Sequence, residues 1–594
     1  MASLSPDYLF IVCTHGNKML LDQWLKSNKS EGVWSLKNDF YIYSLNASAQ
    51  SFVHGYSIDC EGRRITIHDP RRKASNYILS NSAKHNLTGC FIGVNIMPEK
   101  IIVSGDLFRQ KDILFFSNSD IIVVSSSLYL LTEARKALRL SNALEEEACS
   151  ARETYPYLDK SNSLGFTPIS HRAQVKSIYY CHVGACIEIL LFEQKLKTSI
   201  QRQSLNSIFE LKDSLSYYET IHKCSKDFIE LFLALNEYNC PLICQITGGY
   251  DSRVVTSSLV RANEISPNKN INYYSNPKRE EFKTAQNFAA HIGFNLNTKR
   301  QGFESIYNFR DELSHFGANN FYSLGMYDVI TTQLNVKKFA NTIKLTGHGA
   351  GALKGKWGAQ SVKQKWGEVD RESFWNELSL GMDSIGVELD HPLGAELHNL
   401  AFRNALHPGR NHLSSISIMP LLNKDLVSLA FSKRNIHPLP SVPGKSNIQM
   451  NIVKDLLIAQ GTKFTSSAFY KAPSFSEEQI NNFLQSAICP EQLIKTDDYT
   501  PYDLHNELGD IPVCKYSEIA ISIIQNSLFS GIKDMAMARD IAVELSSRMP
   551  EGIRGDYLSR LESFGTIEDQ GKMINNNPWY VACIGRGLSY SLFD

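Results

Sequence analysis

A short polar loop near the middle of the chain has the residue types of an anion-binding site. Residues 241–246 are mostly apolar, the loop Thr247-Gly248-Gly249-Tyr250-Asp251-Ser252 follows them, and residues 253–260 suit a helix. Two adjacent glycines allow a tight turn that brings backbone N–H groups close to a ligand, and the start of a helix attracts negative charge. The loop therefore indicates a phosphate site, although an ordinary strand–Gly-Gly–helix junction would give the same string.

Three side chains of this loop indicate which kind of phosphate site it would be. The hydroxyls of Thr247 and Ser252 can donate hydrogen bonds to phosphate oxygens. The carboxylate of Asp251 would repel a phosphate unless a magnesium ion lay between the two anions. The loop therefore predicts a pyrophosphate site with magnesium on Asp251. It is not a Walker loop, since the sequence has no G-x-x-x-x-G-K-[ST] string.

A second glycine-rich string, residues 345–357, carries a histidine and two lysines. The imidazole of His348, with an unperturbed pKa of about 6.5, could accept a proton from an attacking amine. Alternatively, His348 has a structural role only and forms a hydrogen bond within its own loop. Lys354 and Lys356 could supply positive charge to phosphates, or they could be solvated surface lysines. The residues alone leave these alternatives open.

Both strings resemble the asparagine synthetase branch of the PP-loop ATP pyrophosphatases, which includes β-lactam synthetase, carbapenam synthetase and the lasso-peptide cyclases. The first string is similar to S-G-G-x-D-S, with Thr247 in place of the first serine. Residues 345–357 follow L-T-G-E-G-A-D-E-L-F-G-G-Y without a gap. Three of the differences affect acidic positions of the family: His348 replaces an acid, Gly351 the second magnesium-binding aspartate and Ala352 a glutamate. Lasso-peptide cyclases also have G-H-G at the place of His348.

The resemblance implies ATP and Mg²⁺ as cofactors. It implies phosphate binding by one set of residues: Thr247, Gly248, Gly249, Tyr250, Asp251, Ser252, Gly347 and Gly349. It also implies magnesium on Asp251, held more weakly because the acids at positions 351 and 352 are missing. Residues 468–475 and 444–448 resemble two lysine-bearing segments of the family. They imply Lys471 as the group that stabilises developing charge, with Lys445 as the second candidate and His348 as a further catalytic residue.

The activity implied by the resemblance is ATP-dependent amide-bond formation. A substrate carboxylate would be adenylated with release of pyrophosphate and then joined to an amine, giving a lactam, a macrolactam, a modified peptide or a sugar-acid derivative. The partners would be a small-molecule or peptide carboxylate and an amine. The alternative, favoured by Gly351 and Ala352, is a catalytically impaired relative that binds a nucleotide or serves as a structural partner in a biosynthetic complex.

The elements expected to position these loops differ between the two halves of the chain. Over residues 206–594, helices alternate with short apolar strands, which predicts an α/β domain with a parallel sheet. Residues 216–235 predict an amphipathic helix, and Asn423 suits a helix N-cap. Before about residue 205, short β-rich runs between polar turns predict stacked antiparallel sheets. These runs are residues 8–12, 40–43, 91–94, 101–103, 113–116 and 121–124.

Residues 87–116 resemble part of the class II glutamine amidotransferase domain, an αββα sandwich of Ntn type whose active members use an N-terminal cysteine as nucleophile. This chain has Ala2 near that end, and its nearest cysteine, Cys13, lies within a predicted strand. The resemblance therefore implies a degenerate domain over residues 1–205 that hydrolyses no glutamine and serves in structure or substrate docking. The predicted fold class is α/β: this Ntn-like sandwich followed by a PP-loop parallel sheet with helical additions.

The composition restricts the partners. The 594 residues are 43% apolar and 21% charged, and 61 basic residues balance 61 acidic ones. Zero net charge argues against general binding to nucleic acid or to a membrane surface, and no apolar run has the length of a transmembrane helix. The 12 cysteines include no C-x-x-C pair, which predicts a reduced cytoplasmic protein without a zinc site or disulfide framework. A homodimer or a biosynthetic complex remains open.

Overall fold

The computed structural model describes most of the chain. The described ranges are 3–298, 342–437, 451–464, 477–486, 499–526, 531–563, 584, 587–588 and 590, apart from gaps at 6, 31, 46, 49, 155–167, 212–213, 278–280, 356, 405, 407–408, 410–411, 413–414, 515 and 533–534. Four residues singled out in the sequence lie outside the described residues: Ala2, Lys356, Lys445 and Lys471.

Two large sheets form from the β-rich runs of the N-terminal part. Its strands are β1 (Ser3–Leu4), β2 (Leu9–Cys13), β3 (Val33–Lys37), β4 (Phe40–Ser44), β5 (Phe52–Asp59), β6 (Arg64–Ile67), β7 (Thr88–Ile96), β8 (Lys100–Gly105), β9 (Leu114–Ser117), β10 (Ile121–Ser125), β11 (Ile178–Tyr180), β12 (Ala185–Phe192) and β13 (Lys195–Arg202). One sheet has the antiparallel order β11-β9-β10-β2-β4-β3, and the other contains the antiparallel order β13-β12-β8-β7-β5-β6. The predicted runs overlap β2, β4, β7, β8, β9 and β10.

The two sheets pack face to face and carry helices on their outer faces. The helices of this part are α1 (His15–Ser27), α2 (Asn76–Ala83), α3 (Leu128–Ala137), α4 (Glu146–Thr154) and α5 (Leu205–Ile208). Successive side chains of β2 point to opposite faces: Phe10 and Val12 join Ile92 and Val94 of β7 in the core between the sheets. Leu9 and Ile11 belong to the core that also contains the buried leucines of α1 and α3, and α2 packs its Ile78 and Leu79 on the outer face of the other sheet.

A smaller parallel sheet forms the centre of the second half. Its strands β14 (Leu242–Gln245), β15 (Ile271–Tyr274), β16 (Ile343–Leu345) and β17 (Ile416–Ile418) have the order β15-β14-β16-β17, and each neighbouring pair is parallel. Three helices of this half are α6 (Tyr217–Glu237), α7 (Tyr250–Ile265) and α8 (Phe282–Ile292). A capping box between Ser216 and Glu219 begins α6, so the predicted helix over 216–235 is confirmed.

Further helices complete the described part of this half. They are α9 (Ala350–Lys354), α10 (Val362–Trp366), α11 (Glu372–Ser384), α12 (Gly394–His398), a π-helical turn (Asn399–Asn404), α13 (Lys424–Phe431), α14 (Ile452–Gln460), α15 (Glu477–Ser486), α16 (Glu518–Asn526), α17 (Met535–Leu545) and α18 (Glu551–Ser563), with short 3₁₀ turns at Thr462–Phe464 and Ser546–Arg548. The Asn423 side chain accepts from the Leu426 N–H at 3.1 Å and caps α13, which confirms the predicted N-cap.

A late segment of the chain returns to the N-terminal sheets. Strand β18 (Asp503–Asn506) pairs parallel with β6 and becomes the edge of the second sheet, and β19 (Val513–Cys514) pairs with β1. The buried carboxylate of Asp7 accepts hydrogen bonds from the backbone N–H of Ser517, at 3.0 Å, and from its hydroxyl. The division at residue 205/206 stays a prediction, and the structure adds contacts that cross it.

The structure confirms the coarse fold class. It is a mixed α/β protein with several sheets, one of them parallel. The separate assignment of an Ntn-like sandwich and a PP-loop domain stays a prediction. Within the described ranges, no helix combines the length and the apolar character needed to cross a membrane.

Candidate functional site

Two loops meet at the C-terminal edge of the parallel sheet. The chain leaves β14 just before Thr247 and leaves β16 just before Thr346, and these two strands are neighbours. After β14 the chain forms β15 on one side of it, whereas β16 and β17 lie on the other side. In open α/β sheets, ligands bind in the crevice where connections diverge in this way. The sheet therefore brings the two glycine-rich strings together where its topology favours a ligand.

Glycines let the two loops approach each other closely. A Cβ atom on Gly347 would lie 2.6 Å from the carbonyl carbon of Asp251 and 2.8 Å from the backbone nitrogen of Ser252. A Cβ atom on Gly248 would lie 2.9 Å from the Cβ of Glu281 at the start of α8. Gly349 has φ +93°, a left-handed conformation that favours glycine, where α9 begins. These glycines are required by the packing of the loops, whether or not a ligand also approaches them.

Hydroxyl groups close the first loop onto the start of α7. The Ser252 Oγ atom accepts from the Thr247 N–H at 3.0 Å and lies 3.1 Å from the Gly249 carbonyl oxygen. The Thr247 Oγ1 atom accepts from the Gly249 N–H at 3.1 Å. Both hydroxyls thus shape the loop in this structure, and hydrogen bonds from them to a phosphate stay a prediction.

Arg253 orients the peptide groups of this loop. Its guanidinium donates to the carbonyl oxygens of Gly248, at 2.9 Å, and of Gly249, at 3.3 Å, and the side chain is 1% exposed. In a planar trans peptide the C=O and the following N–H point in opposite directions. The N–H of Tyr250 therefore points away from Arg253 and out from the start of α7. The sequence predicts Arg253 only as a helix residue, although its place directly after Ser252 is a usable signal.

The carboxylate of Asp251 is bound by a lysine. The Lys354 Nζ atom lies 2.8 Å from each Asp251 oxygen, and the two side chains are 32% and 31% exposed, respectively. Gly351 and Ala352, in α9, have no side-chain oxygen that could serve as a further ligand. In the described part of the chain, no group of three or more His, Cys, Asp or Glu could hold a metal. In this arrangement these residues do not fit a magnesium ion held by the protein, and magnesium on Asp251 stays a prediction that requires Lys354 to move.

A second lysine lies beside the loop. Lys454, on α14, has its Nζ atom 4.8 Å from the centre of the Tyr250 ring, and the Arg253 guanidinium carbon lies 4.6 Å from the same centre. Burial lowers the pKa of Lys454 to about 8; Asp455 acts against this shift and Arg253 adds to it. Nothing in the sequence pointed to Lys454, because about 200 residues separate it from the loop that it contacts.

His348 begins the turn into α9 and is mostly neutral at neutral pH. Its Nδ1 lies 3.1 Å from the Thr346 Oγ1, which also accepts from the His348 N–H at 3.4 Å. Burial, with the charge of Lys344, lowers the pKa of His348 to about 4. An imidazole with this pKa is a weaker proton acceptor than one with the unperturbed value of about 6.5. Its catalytic role stays a prediction.

The N-terminal half contacts the parallel sheet next to this site. The Tyr56 hydroxyl on β5 donates to the Ser417 carbonyl of β17 at 2.6 Å, and the Ser417 N–H donates to His412 Nδ1 at 3.3 Å. Because Nδ1 accepts, His412 Nε2 carries the proton and donates to Gln110 Oε1 at 2.9 Å. Burial lowers the pKa of His412 to about 3, which agrees with this neutral form. The strand beside β16 is thus held by side chains from the other half of the chain.

Comparison with known proteins adds little to these observations. No family model matches the chain, and no curated protein matches it. A solved structure, glutamine phosphoribosylpyrophosphate amidotransferase from B. subtilis complexed with ADP and GMP, aligns with 58% of this chain and 77% of its own at 10% identity, with a TM-score of 0.19. A similarity of this size supports no inference about fold or function. Lys445 and Lys471, the other predicted catalytic residues, lie outside the described residues.

Proposed function

We propose that the protein is an ATP-dependent synthetase that adenylates a substrate carboxylate and joins it to an amine. In this proposal, residues 247–252 bind the nucleotide phosphates, with Gly347 and Gly349 in the neighbouring loop. The N-terminal half would be a degenerate Ntn-like sandwich, and the second half a PP-loop domain. The carboxylate and the amine would belong to a small molecule or a peptide.

One observation carries the proposal: both strings of the resemblance meet at the diverging strands β14 and β16. They are separated by almost 100 residues of sequence, and Gly347 nonetheless packs against the backbone of Asp251. A glycine-rich turn followed by a helix N-terminus suits a phosphate. Arg253 directs the Tyr250 N–H outward, and Lys354 and Lys454 add positive charge beside it. Geometry and charge together favour an anion with several phosphates.

The reaction would proceed in two displacements at this edge of the sheet. A carboxylate oxygen of the substrate attacks the α-phosphorus of ATP, the bond from that phosphorus to the bridging oxygen breaks, and pyrophosphate leaves. The amine nitrogen then attacks the acyl carbon, AMP leaves, and the amine gives up a proton. Outward N–H groups of α7 would hold the phosphates, while lysines would balance the charge of the leaving pyrophosphate. Lys471, with Lys445 as the second candidate, stays the predicted source of charge at the acyl adenylate.

The N-terminal half supports this reading as a structural part rather than a glutaminase. Cys13 ends the central strand β2, and burial raises the pKa of its thiol to about 12. A thiol with such a pKa supplies almost no thiolate at neutral pH. We therefore expect no release of ammonia from glutamine, and the amine would be part of the substrate. Contacts of Tyr56 and Gln110 with β17 and its flank suggest that this half supports the site.

The rival function is a non-catalytic nucleotide-binding or structural partner. The contact of both Asp251 oxygens with Lys354, beside Gly351 and Ala352, favours it. Mass spectrometry of reactions with ATP and candidate acids, including products of neighbouring genes, separates the two functions. Formation of AMP and pyrophosphate together with an amide supports the synthetase. Nucleotide binding without turnover of any such acid, or hydrolysis to ADP, argues for the rival.

A further inference from the structure

We propose that the ammonium of Lys354 is the resident cation of this loop, so that a di- or triphosphate binds here without a divalent metal ion. The proposal rests on the proposed function, because it concerns the same phosphate site. It assigns to Lys354 the contact with phosphate oxygens that a carboxylate-bound magnesium would otherwise make. Asp251 then serves to hold this lysine in place.

The position of Lys354 on α9 explains how it reaches Asp251. Lys354 follows Gly351 by three residues, and side chains three apart lie on the same face of a helix. Gly351 has no side chain on that face, and Lys354 places its Nζ atom 2.8 Å from both oxygens of Asp251. Both side chains remain about one-third exposed, at 32% and 31%. A ligand at the start of α7 can therefore reach the lysine.

The charges around the loop already favour an anion before any metal is added. The guanidinium of Arg253 and the ammonium of Lys454 both lie within 5 Å of the Tyr250 ring centre, at 4.6 and 4.8 Å. A magnesium ion on Asp251 would have to displace an ammonium from both oxygens. In exchange it would gain a single carboxylate, which is the lower limit of the one or two that magnesium in protein sites takes besides substrate phosphates and waters. A polyphosphate can bind the exposed part of the Lys354 ammonium without displacing it from Asp251.

The two arrangements predict opposite effects for Asp251→Asn. If Asp251 holds a metal, the substitution removes its ligand and weakens phosphate binding. If Lys354 is the resident cation, the substitution removes a repelling negative charge, while the amide oxygen of Asn can still accept from the lysine and hold it in place. Phosphate affinity in the absence of metal should then increase. The sign of the change therefore separates the two without reference to catalysis.

The test is calorimetric titration of the full chain with pyrophosphate and with a non-hydrolysable ATP analogue, in EDTA and in magnesium. We expect binding in EDTA, weakened about tenfold or more by Lys354→Gln, since charge-assisted hydrogen bonds are the strong ones. Lys354→Arg keeps the charge and should bind within about threefold of the wild type. Lys363→Gln is the matched control, because Lys363 is an exposed lysine on the neighbouring α10 and also forms an ion pair, with Asp390 at 2.6 Å.

Two results would overturn the inference, and they differ in what they say about the function. Binding that needs magnesium, is weakened by Asp251→Asn and is unchanged by Lys354→Gln overturns the role of Lys354 and leaves the nucleotide site standing. Absence of binding by the folded wild type with and without magnesium overturns the nucleotide site as well. Circular dichroism melts of each variant separate weakened binding from unfolding. Tighter binding of Asp251→Asn in EDTA supports the inference.

Discussion

At the scale of single residues, the first loop depends on basic side chains that lie outside its own string. Arg253 binds the loop carbonyls, Lys354 binds Asp251, and Lys454 lies over the Tyr250 ring. Arg253 and Lys454 are both buried beside the Tyr250 ring, and this is costly because burial and like charge both disfavour the charged form. A protein gains no stability from such a cluster. It is expected where an anion binds, since the anion offsets the repulsion.

Replacing Lys454 by Met tests this cost. Lys454 is 2% exposed and its pKa is lowered to about 8. The unfolded chain therefore binds a proton that the folded chain lacks between about pH 8 and 10.5, and wild-type stability should rise with pH across this window. At pH 7 we expect Lys454→Met to be more stable than the wild type by about 1 to 3 kcal/mol. This is a net value, because the variant also loses the favourable contact of the ammonium with the Tyr250 ring. Urea unfolding at pH 7 and pH 9.5 measures both effects.

Lys454→Met should also bind phosphates less well. Stability and phosphate affinity would then change in opposite directions, which separates the cost of burying Lys454 from its role in binding. Lys344 has its pKa lowered to about 8 as well, so part of the pH dependence should remain in Lys454→Met. Lys363→Met, at an exposed position, should change neither stability nor its pH dependence. A Lys454→Met protein that is less stable than the wild type at pH 7 would show that the buried charge is compensated by contacts with its surroundings.

At the scale of elements, the sequence predicted the local structure well and the long-range assembly poorly. Strands β2, β7 and β10, helix α6 and the Asn423 cap follow from alternation, periodicity and capping, which are local properties. The pairing of β18 with β6 joins residues more than 400 positions apart, and no local pattern encodes such a partner. The same distinction between local and long-range features applies to the candidate site. Both glycine-rich loops could be found from their strings, whereas the contacts of Lys354 and Lys454 depend on tertiary packing.

Strand β17 illustrates such a long-range dependence, and Tyr56→Phe tests it. The substitution removes the hydroxyl that donates to the buried Ser417 carbonyl at 2.6 Å. A buried carbonyl without its partner costs about 1 to 3 kcal/mol. Because β17 pairs with β16, we expect faster amide hydrogen exchange in peptides covering residues 415–422 and 343–349. Mass spectrometry measures the exchange rate of these peptides directly, although the substitution lies in the other half of the chain.

Tyr77→Phe is the matched control for this experiment. It removes a hydroxyl from the same half, but that hydroxyl donates to Asp59 at 2.7 Å and its side chain is 53% exposed. Exchange in the peptides around β16 and β17 should stay unchanged. If Tyr56→Phe also leaves these peptides unchanged, the N-terminal half does not stabilise the edge of the parallel sheet, and its proposed support of the site is wrong.

At the scale of the whole molecule, neutral histidines are a shared feature of both halves. Burial lowers the pKa of each of the following to about 3 or 4: His85, His171, His182, His222, His348, His398 and His412. An imidazole in the unfolded chain has a pKa of about 6.5. The folded protein therefore holds several imidazoles without protons at pH values where the unfolded chain would protonate them.

This difference predicts loss of stability on mild acidification. Below about pH 6.5 the unfolded chain takes up protons on these histidines and the folded chain does not, so the free energy of unfolding should fall by about 1.4 kcal/mol for each histidine between pH 7.5 and 5.5. Asp106 and Asp227, whose pKa values burial raises to about 6, act in the opposite direction, since they release protons on unfolding. The histidines outnumber them, and net uptake of several protons should accompany unfolding at pH 5.5. Scanning calorimetry in two buffers of different ionisation enthalpy measures this uptake, which should fall to about one proton at pH 7.2. Equal uptake at the two pH values would mean that the imidazoles are protonated in the folded protein, and the burial that keeps His348 and His412 neutral beside the candidate site would then be wrong.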